Sequence, residues 1–403
     1  MRLKKMLACG FATGCLLISI VFGQPVRNKP DANLLKTIEA DYKIAERQYI
    51  QMNKELAPGS FPKTYYPETG KLETSGSDWW CSGFYPGTLL LLYQQSGDKT
   101  LLAEADRVLG VLAKEQYNKN THDLGFMMYC SFGNALKLNP KPGYKQILIN
   151  SAKSLSTRFN PAVGCIKSWD SKKPEYIVII DNMMNLELLF WATKVTGDSS
   201  FYKIAVTHAN TTMKNHFRPD YSSYHLVIYD PQTGAVKQKR TDQGYADESA
   251  WSRGQSWGLY GYTVMYRETK NKKYLDQANH IAQFLLHHPN LPADKIPYWD
   301  YNAPNIPNAL RDASAASIMA SALLELCRYT DEKKSKFYFN TAETIIRNLS
   351  SPKYLAAAGT NGGFILKHSV GKLPGKSEVN VPLTYADYYF IEALARYKNF
   401  NKR

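Results

Sequence analysis

Cysteine is scarce in this chain, with six among 403 residues, and Cys9 and Cys15 fall in its first apolar stretch. The others, Cys81, Cys130, Cys165 and Cys327, stand in separate segments without a Cys-x-x-Cys pair. That spacing suggests neither a disulfide framework nor a metal site, and no metal or cofactor is expected. Acidic residues are also few, 35 against 50 Lys and Arg, for a formal net charge of +15. Such an excess favours polyanionic partners. Nucleic acid is not expected, because the lysines are dispersed and no recognised binding motif occurs. Acidic or sulfated polysaccharide fits better, although a lysine-rich surface without functional meaning explains the charge equally well.

A second long apolar run is missing too. The one present, Met6–Phe22, follows Arg2, Lys4 and Lys5 and ends at Val21-Phe22-Gly23 before Gln24. Charged start, apolar middle and small residue at the cut are the order of a secretory signal peptide. The reading is therefore a signal peptide over 1–23, a single catalytic domain over 24–403, and export, with the bacterial periplasm as address. The run is slightly short for a membrane anchor, so no membrane contact is expected after cleavage. Cys15 weakly suggests a lipoprotein cut, but the apolar run continues beyond it.

What is abundant is repetition. One phrase recurs: an apolar helix end, a short polar turn, then an aromatic or apolar residue followed by Ala in another helix. Copies run from Tyr93-Gln-Gln-Ser-Gly-Asp98 to Ala105, Leu138-Asn-Pro-Lys-Pro-Gly143 to Ala152, Thr196-Gly-Asp198 to Ala205, Thr269-Lys-Asn271 to Ala278 and Tyr329-Thr-Asp331 to Ala342. Each is the elbow of a helical hairpin. Apolar period and end signals predict about twelve helices, near 31–54, 82–96, 99–115, 124–137, 143–158, 182–197, 199–216, 254–269, 271–288, 312–330, 334–350 and 383–398. The first member of most pairs is apolar nearly all round and the second is amphipathic. Helices covered on every side alternating with helices that keep a wet face describe an inner ring inside an outer ring, an all-α (α/α)6 barrel.

The loops at 55–81, 159–181, 217–253, 289–311 and 351–382 are long and rich in Trp, Tyr, Pro, Gly and Asp. All lead from an outer helix to the next inner one, so they gather at one end and line a cleft. Their β content is expected to be small, with short strands at 176–180 and 224–229.

Five stretches carry a resemblance. Trp80-Cys-Ser-Gly-Phe-Tyr-Pro-Gly87, His122-Asp123-Leu-Gly-Phe126, Asp181-Asn-Met-Met-Asn185, Gln243-Gly-Tyr-Ala-Asp-Glu-Ser-Ala-Trp-Ser-Arg-Gly-Gln-Ser-Trp257 and Tyr385-Ala-Asp-Tyr-Tyr-Phe390 are similar to the signature stretches of unsaturated glucuronyl hydrolases, glycoside hydrolase family 88. The resemblance independently implies the (α/α)6 barrel. It also implies an unusual reaction on the 4,5-unsaturated uronic acid that polysaccharide lyases leave at a non-reducing end. An acid protonates carbon four, water adds at carbon five, and the hemiketal rearranges to expel the remaining sugar. The partners implied are unsaturated, sometimes sulfated, uronic-acid oligosaccharides of the glycosaminoglycan type.

By the same resemblance Asp181 is the catalytic acid/base and Asp123 the second essential carboxylate. An acid working near neutral pH needs burial or a neighbouring carboxylate to raise its pKa. Asp181 follows Tyr176-Ile-Val-Ile-Ile180 and is placed to cap an apolar helix, which is also what an ordinary N-cap aspartate does. Trp80, Trp169 and Trp257 are candidates for stacking on the sugar, though tryptophans serve as often in cores. His122, His225, Gln243 and Arg253 are candidates for its polar edge, Arg being a natural carboxylate partner. Where sulfate-accepting relatives carry Ser-x-x-Ser-x-Lys, this chain keeps Ser369 but has Lys372 at the second serine and Pro374 at the lysine. Lys372 is thus a candidate sulfate partner or a plain solvated lysine. Asn380, where relatives often carry Asp, receives no role.

Two other readings remain. Unsaturated rhamnogalacturonyl hydrolases share barrel and chemistry on pectin fragments, but they resemble Trp-Gly-Arg-Gly-Asn-Gly-Trp where this chain has Trp251-Ser-Arg-Gly-Gln-Ser-Trp257. A non-catalytic periplasmic glycan-binding protein would need the tryptophans and Arg253 but neither aspartate.

Overall fold

The computed structural model describes residues 28–171 and 175–402; the stretch read as a signal peptide lies outside them. In chain order the helices are α1 (Ala32–Glu55), α2 (Phe84–Ser96), α3 (Lys99–Leu112), a π-helical segment (Gly125–Gly133) running into α4 (Asn134–Leu138), α5 (Tyr144–Ser156), α6 (Leu186–Thr196), α7 (Ser199–Asn215), α8 (Ser252–Thr269), α9 (Lys272–His287), α10 (Ala313–Leu326), α11 (Glu332–Leu349) and α12 (Thr384–Lys398).

The recurring elbow has a local cause. Gly97, Gly197 and Lys270 take left-handed backbones at the ends of α2, α6 and α8. The very next residues, Asp98, Asp198 and Asn271, accept from the first backbone N–H groups of α3, α7 and α9 at 2.7, 2.8 and 3.2 Å. A left-handed stop followed at once by an Asx start reverses the chain in about two residues. The inner helix is thereby tied to its outer partner.

The ring follows from which helices are covered. Every residue of α10 is buried, whereas α11 buries one stripe of Tyr338, Phe339, Ala342, Ile345, Ile346 and Leu349. Around the inside, α2, the π-segment with α4, α6, α8, α10 and α12 pack in succession, and α12 closes the ring against α2. The Ala and Ser residues of α10 let α8 and α12 approach closely. Outside, α1 lies on α2, α3 and α12. The expected (α/α)6 barrel is therefore observed. No helix among the described residues is long and apolar enough to cross a membrane.

Two helices begin differently from expectation. The stretch 124–137 opens as a π-helix, and 182–197 opens as a 3-10 turn, Ile180–Asn185, before α6. Apolar residues on every side leave no period from which to tell i+4 from i+5 bonding. The loops also hold more β structure than expected, in four small antiparallel sheets. β1 (Phe61–Tyr66) pairs with β2 (Lys71–Ser75), and β3 (Phe159–Asn160) with β4 (Cys165–Ile166). β5 (Tyr176–Ile179) and β6 (Leu226–Tyr229), both foreseen, are joined by an unforeseen β7 (Val236–Arg240), and β8 (Ser369–Lys372) pairs with β9 (Ser377–Val381). The β7 sequence Val-Lys-Gln-Lys-Arg lacks apolar alternation and is half exposed, so it carries little strand signal.

Candidate active site

The three-stranded sheet aligns the site. Ile179 stands opposite Leu226, and Leu226 opposite Arg240. Continuing one step, the Ile180 N–H donates to the His225 carbonyl at 3.0 Å. Asp181, His225 and the Thr241–Gln243 turn therefore leave the same sheet edge together. The His225 Nδ1 accepts the Asp242 N–H at 3.0 Å and the Gln243 N–H at 3.3 Å. Burial, with Arg253 nearby, holds this imidazole well below its ordinary pKa. It is thus a neutral ring with its proton on Nε2, which is buried and finds no partner within the protein.

Asp181 was expected to cap a helix, and it does not. It lies inside the Ile180–Asn185 turn, whose start has no side-chain cap. Its Oδ2 is buried without a partner. Burial pushes its carboxyl up to about 7; Arg253 opposes the rise and the Asp123 charge adds to it. Asp123 is pushed up to about 7 as well, again mainly by burial, against hydrogen bonds from Thr121 and Asn185. Thr121 Oγ1 donates to its Oδ2 at 3.2 Å, and His122 Nε2 stands 3.3 Å from the same oxygen. His122 itself is driven down to about 3 by burial and is neutral.

The aromatic candidates form a continuous lining. Trp80 packs on Tyr385 at 4.8 Å and on Phe126 at 5.5 Å between ring centroids. Phe126 meets Trp257 at 5.0 Å. On the other side Trp169 meets His225 at 5.7 Å, and His225 meets Trp251 at 4.6 Å. Trp80 and Trp169 are half-buried, whereas Trp257 is wholly buried in the inner ring.

Arg253 joins the two halves. Its guanidinium lies 4.4 Å from the Trp251 ring and 5.2 Å from that of Tyr385. Nη1 donates to the Val370 carbonyl at 2.5 Å, and Nη2 to Gln243 Oε1 at 2.6 Å and the Gly371 carbonyl at 2.9 Å. Asp312 Oδ2 is 3.7 Å from Nη1. Arg253 is therefore a clamp on the β8–β9 hairpin, and Nε is the part of the fork left without a protein partner. Lys372, on that hairpin, is neither free nor simply solvated: it donates to Asp242 Oδ1 at 2.8 Å. Ser369 is fully buried with an unpartnered hydroxyl. Asn380 holds His368 Nδ1 at 2.8 Å.

Sequence reasoning missed several neighbours. Tyr385, Asn182 and Asn185 stood inside quoted motifs without a role, and Asp312 reads as the helix cap it also is, accepting the Ser314 N–H at 2.9 Å. Tyr385 has an unpartnered buried hydroxyl. Unsatisfied buried polar groups are uncommon in folded proteins. Such groups occur at several places in the fold, and those on Asp181, His225, Arg253, Ser369 and Tyr385 belong to the site, where a polar ligand would meet them.

A cavity of about 500 Å³ lies elsewhere, at the far ends of the inner helices, walled by Tyr260, Arg267, Glu325, Glu392 and Arg396 among others. Its charges are paired with one another: Glu325 takes Arg267 at 3.0 Å and Arg396 at 2.8 Å.

Known proteins agree with this fold. The model of Glycosyl Hydrolase Family 88 matches residues 57–287. An unsaturated glucuronyl hydrolase of Formosa agariphila is 45% identical over 90% of this chain and 91% of its own. An unsaturated chondroitin disaccharide hydrolase of Streptococcus pneumoniae is 32% identical over 80% of this chain and 83% of its own. The crystal structure of an unsaturated glucuronyl hydrolase specific for heparin, 49% identical, superposes with a TM-score of 0.88 over 91% of this chain and 98% of that one. The enzyme of Bacillus sp. GL1, 28% identical, does so at 0.83 over 90% and 96%. With fold and sequence in accord, the chain belongs to glycosyl hydrolase family 88, among its unsaturated glucuronyl hydrolases.

Proposed function

We propose that this protein removes the 4,5-unsaturated uronic acid from the non-reducing end of lyase-made glycosaminoglycan oligosaccharides, with Asp181 as acid/base. The observation that supports this most is a buried carboxyl held near pH 7 with one oxygen unpartnered, in a pocket of unpaired donors. In the protonated state Asp181 gives its proton to carbon four of the ring. The positive charge that develops at carbon five, shared with the ring oxygen, is met by the carboxylate just formed and by Asp123. Asp181 then takes a proton from the water that adds at carbon five. The resulting hemiketal opens and expels the next sugar, leaving the carboxyl protonated as at the start. One group serves both proton transfers, so the carboxylate separation that distinguishes retaining from inverting glycosidases does not apply.

The ring's carboxylate and hydroxyls fit the His225 Nε2–H and the Arg253 Nε–H, both buried and unpartnered, while the Trp257 indole lies close enough to Asp181 to favour its charged form. Trp80 and Trp169, half-exposed beside them, suit the sugar faces. A pure binding module would gain nothing from two carboxyls kept near neutrality, since a neutral amide binds sugar without the desolvation cost. The net charge of +15 favours acidic oligosaccharides, and Lys372 is the group we assign to a sulfate on the sugar beside the unsaturated ring. We also propose export, on the charged-apolar-small order of residues 1–23.

Unsaturated disaccharides of chondroitin, hyaluronan and heparin, made with lyases, test the reading through loss of the ultraviolet absorbance of the double bond. Consumption of at least one is expected. Steady release of sugar from a saturated glucuronide would mean a conventional glycosidase instead.

A further inference from the structure

The turn that opens at Ile180 and carries Asp181 closes on Asn185, a fully buried side chain. Its Oδ1 accepts the Phe126 N–H at 3.0 Å. Phe126 lies in the first turn of the π-helical segment, three residues beyond Asp123, where backbone N–H groups have no partner inside the helix. A side chain from the Asp181-bearing turn thus caps the segment that begins two residues after the other carboxylate. The approach is close. A Cβ on Gly125 would fall 2.4 Å from the Asn185 Cα, so only glycine lets the two backbones meet. The amide's other end, Nδ2, is buried without a well-formed partner and lies near enough to the Asp123 carboxyl to favour its charged form. Next to it Asn182 is held by the Ile166 carbonyl at 2.9 Å, which stiffens the same turn.

We infer that Asn185 is a positioning residue: by capping, from the Asp181-bearing turn, the segment that begins just after Asp123, it sets the spacing of the two carboxylates and presents a donor to Asp123. The inference rests on the hydration reading above. A purely structural cap needs only the Oδ1 acceptor, and that gives a clean separation. Asn185→Asp keeps the acceptor for Phe126 and replaces the donor facing Asp123 with an oxygen. The groups around Asp123 are His122, Thr121, Asp181, Arg158 and Cys81, and none of them changes.

The experiment compares wild type and Asn185→Asp on the unsaturated disaccharide from pH 4.5 to 9. We expect a folded variant whose KM is nearly unchanged, whose kcat falls roughly 100-fold, and whose acid limb moves to higher pH by about one unit, because Asp123 has lost a donor and gained a like charge. A variant with wild-type kcat and an unmoved acid limb overturns the inference and leaves Asn185 a cap alone. If Asn185→Asp does not fold, Asn185→Ser, which withdraws the amide without adding charge, is compared in its place: a lowered kcat at nearly unchanged KM supports the inference, and a wild-type kcat overturns it. A wild type that leaves the double bond intact would instead overturn the hydration reading.

Discussion

The Ile180 N–H and the His225 carbonyl, 3.0 Å apart, form the ladder bond that brings the Asp181 carboxyl and the imidazole to one end of the sheet. Strand Tyr176–Ile179 precedes the acid and strand Leu226–Tyr229 follows the histidine, so a slip of one residue would turn either side chain to the opposite face. The geometry of this candidate site is therefore a matter of register more than of helix packing.

Asp181→Asn keeps the size of the side chain and removes the proton. Turnover should fall by at least 100-fold, the usual contribution of an acid/base group, while substrate binding measured by calorimetry persists. Asp123→Asn should be nearly inactive as well. A rate above a tenth of wild type for Asp181→Asn would remove it from its role.

The same substitution should raise thermal stability in a pH-dependent way. The Asp181 carboxyl is held up at about 7 in the fold, against about 3.9 in an unfolded chain. The folded state thus holds a proton that the unfolded state releases, and stability drops as pH rises from about 4 to 7. Asn carries no such charge to bury. Asp181→Asn should melt several degrees above wild type at pH 8 and level with it at pH 4. Equal melting temperatures at both would show that the carboxyl is not strained.

Arg253→Lys should loosen the β8–β9 hairpin. One ammonium cannot serve Val370, Gly371, Gln243 and Asp312 together. Disrupting a buried pair of this kind costs about 3–5 kcal/mol. Melting temperature and resistance of residues 369–381 to proteolysis should both fall, and activity with them. Retention of all three would show that the clamp is redundant.

Lys372 is held by Asp242 at 2.8 Å, both about a third exposed, and a sulfate would have to compete with that carboxylate. Asp242→Asn should lower KM for a sulfated disaccharide, and Lys372→Ala should raise it, each by roughly fivefold or less, as expected for a half-exposed pair. Unsulfated substrate should change in neither. Equal changes on both substrates would place sulfate recognition elsewhere.

How much of this was readable in advance depended on whether a residue's signal was local. The elbows at Gly97-Asp98 and Gly197-Asp198 betray themselves in two residues, and from them the alternation of inner and outer helices follows. Asp181 and Asp123 were singled out because they sit in dense motifs, and the structure buries both carboxyls. The Lys372–Asp242 pair, the Arg253 clamp and the Asn185 cap join residues from 10 to 130 positions apart. Loop conformation alone decides such pairs, and composition does not record it. Strand β7 was hidden because its surroundings, not its own residues, make it a strand.

At the far end of the barrel, Glu325 is pushed up by burial and pulled down further by Arg267 and Arg396, to about 2. Its contribution is present above the unfolded value of about 4.3 and is lost as pH falls toward 2. Glu325→Gln should cost about 3 kcal/mol and leave the kcat of the folded fraction unchanged. A large drop in that kcat would show that the two ends are coupled.

The last inner helix, α12, supplies Tyr385 to the site and closes the ring between α10 and α2. While the ribosome is still making residues 384–398, the five earlier inner helices have an open seam, and Trp80 has no Tyr385 to rest on. A chain cut before residue 384 would therefore lack one wall of the pocket as well as the closing helix.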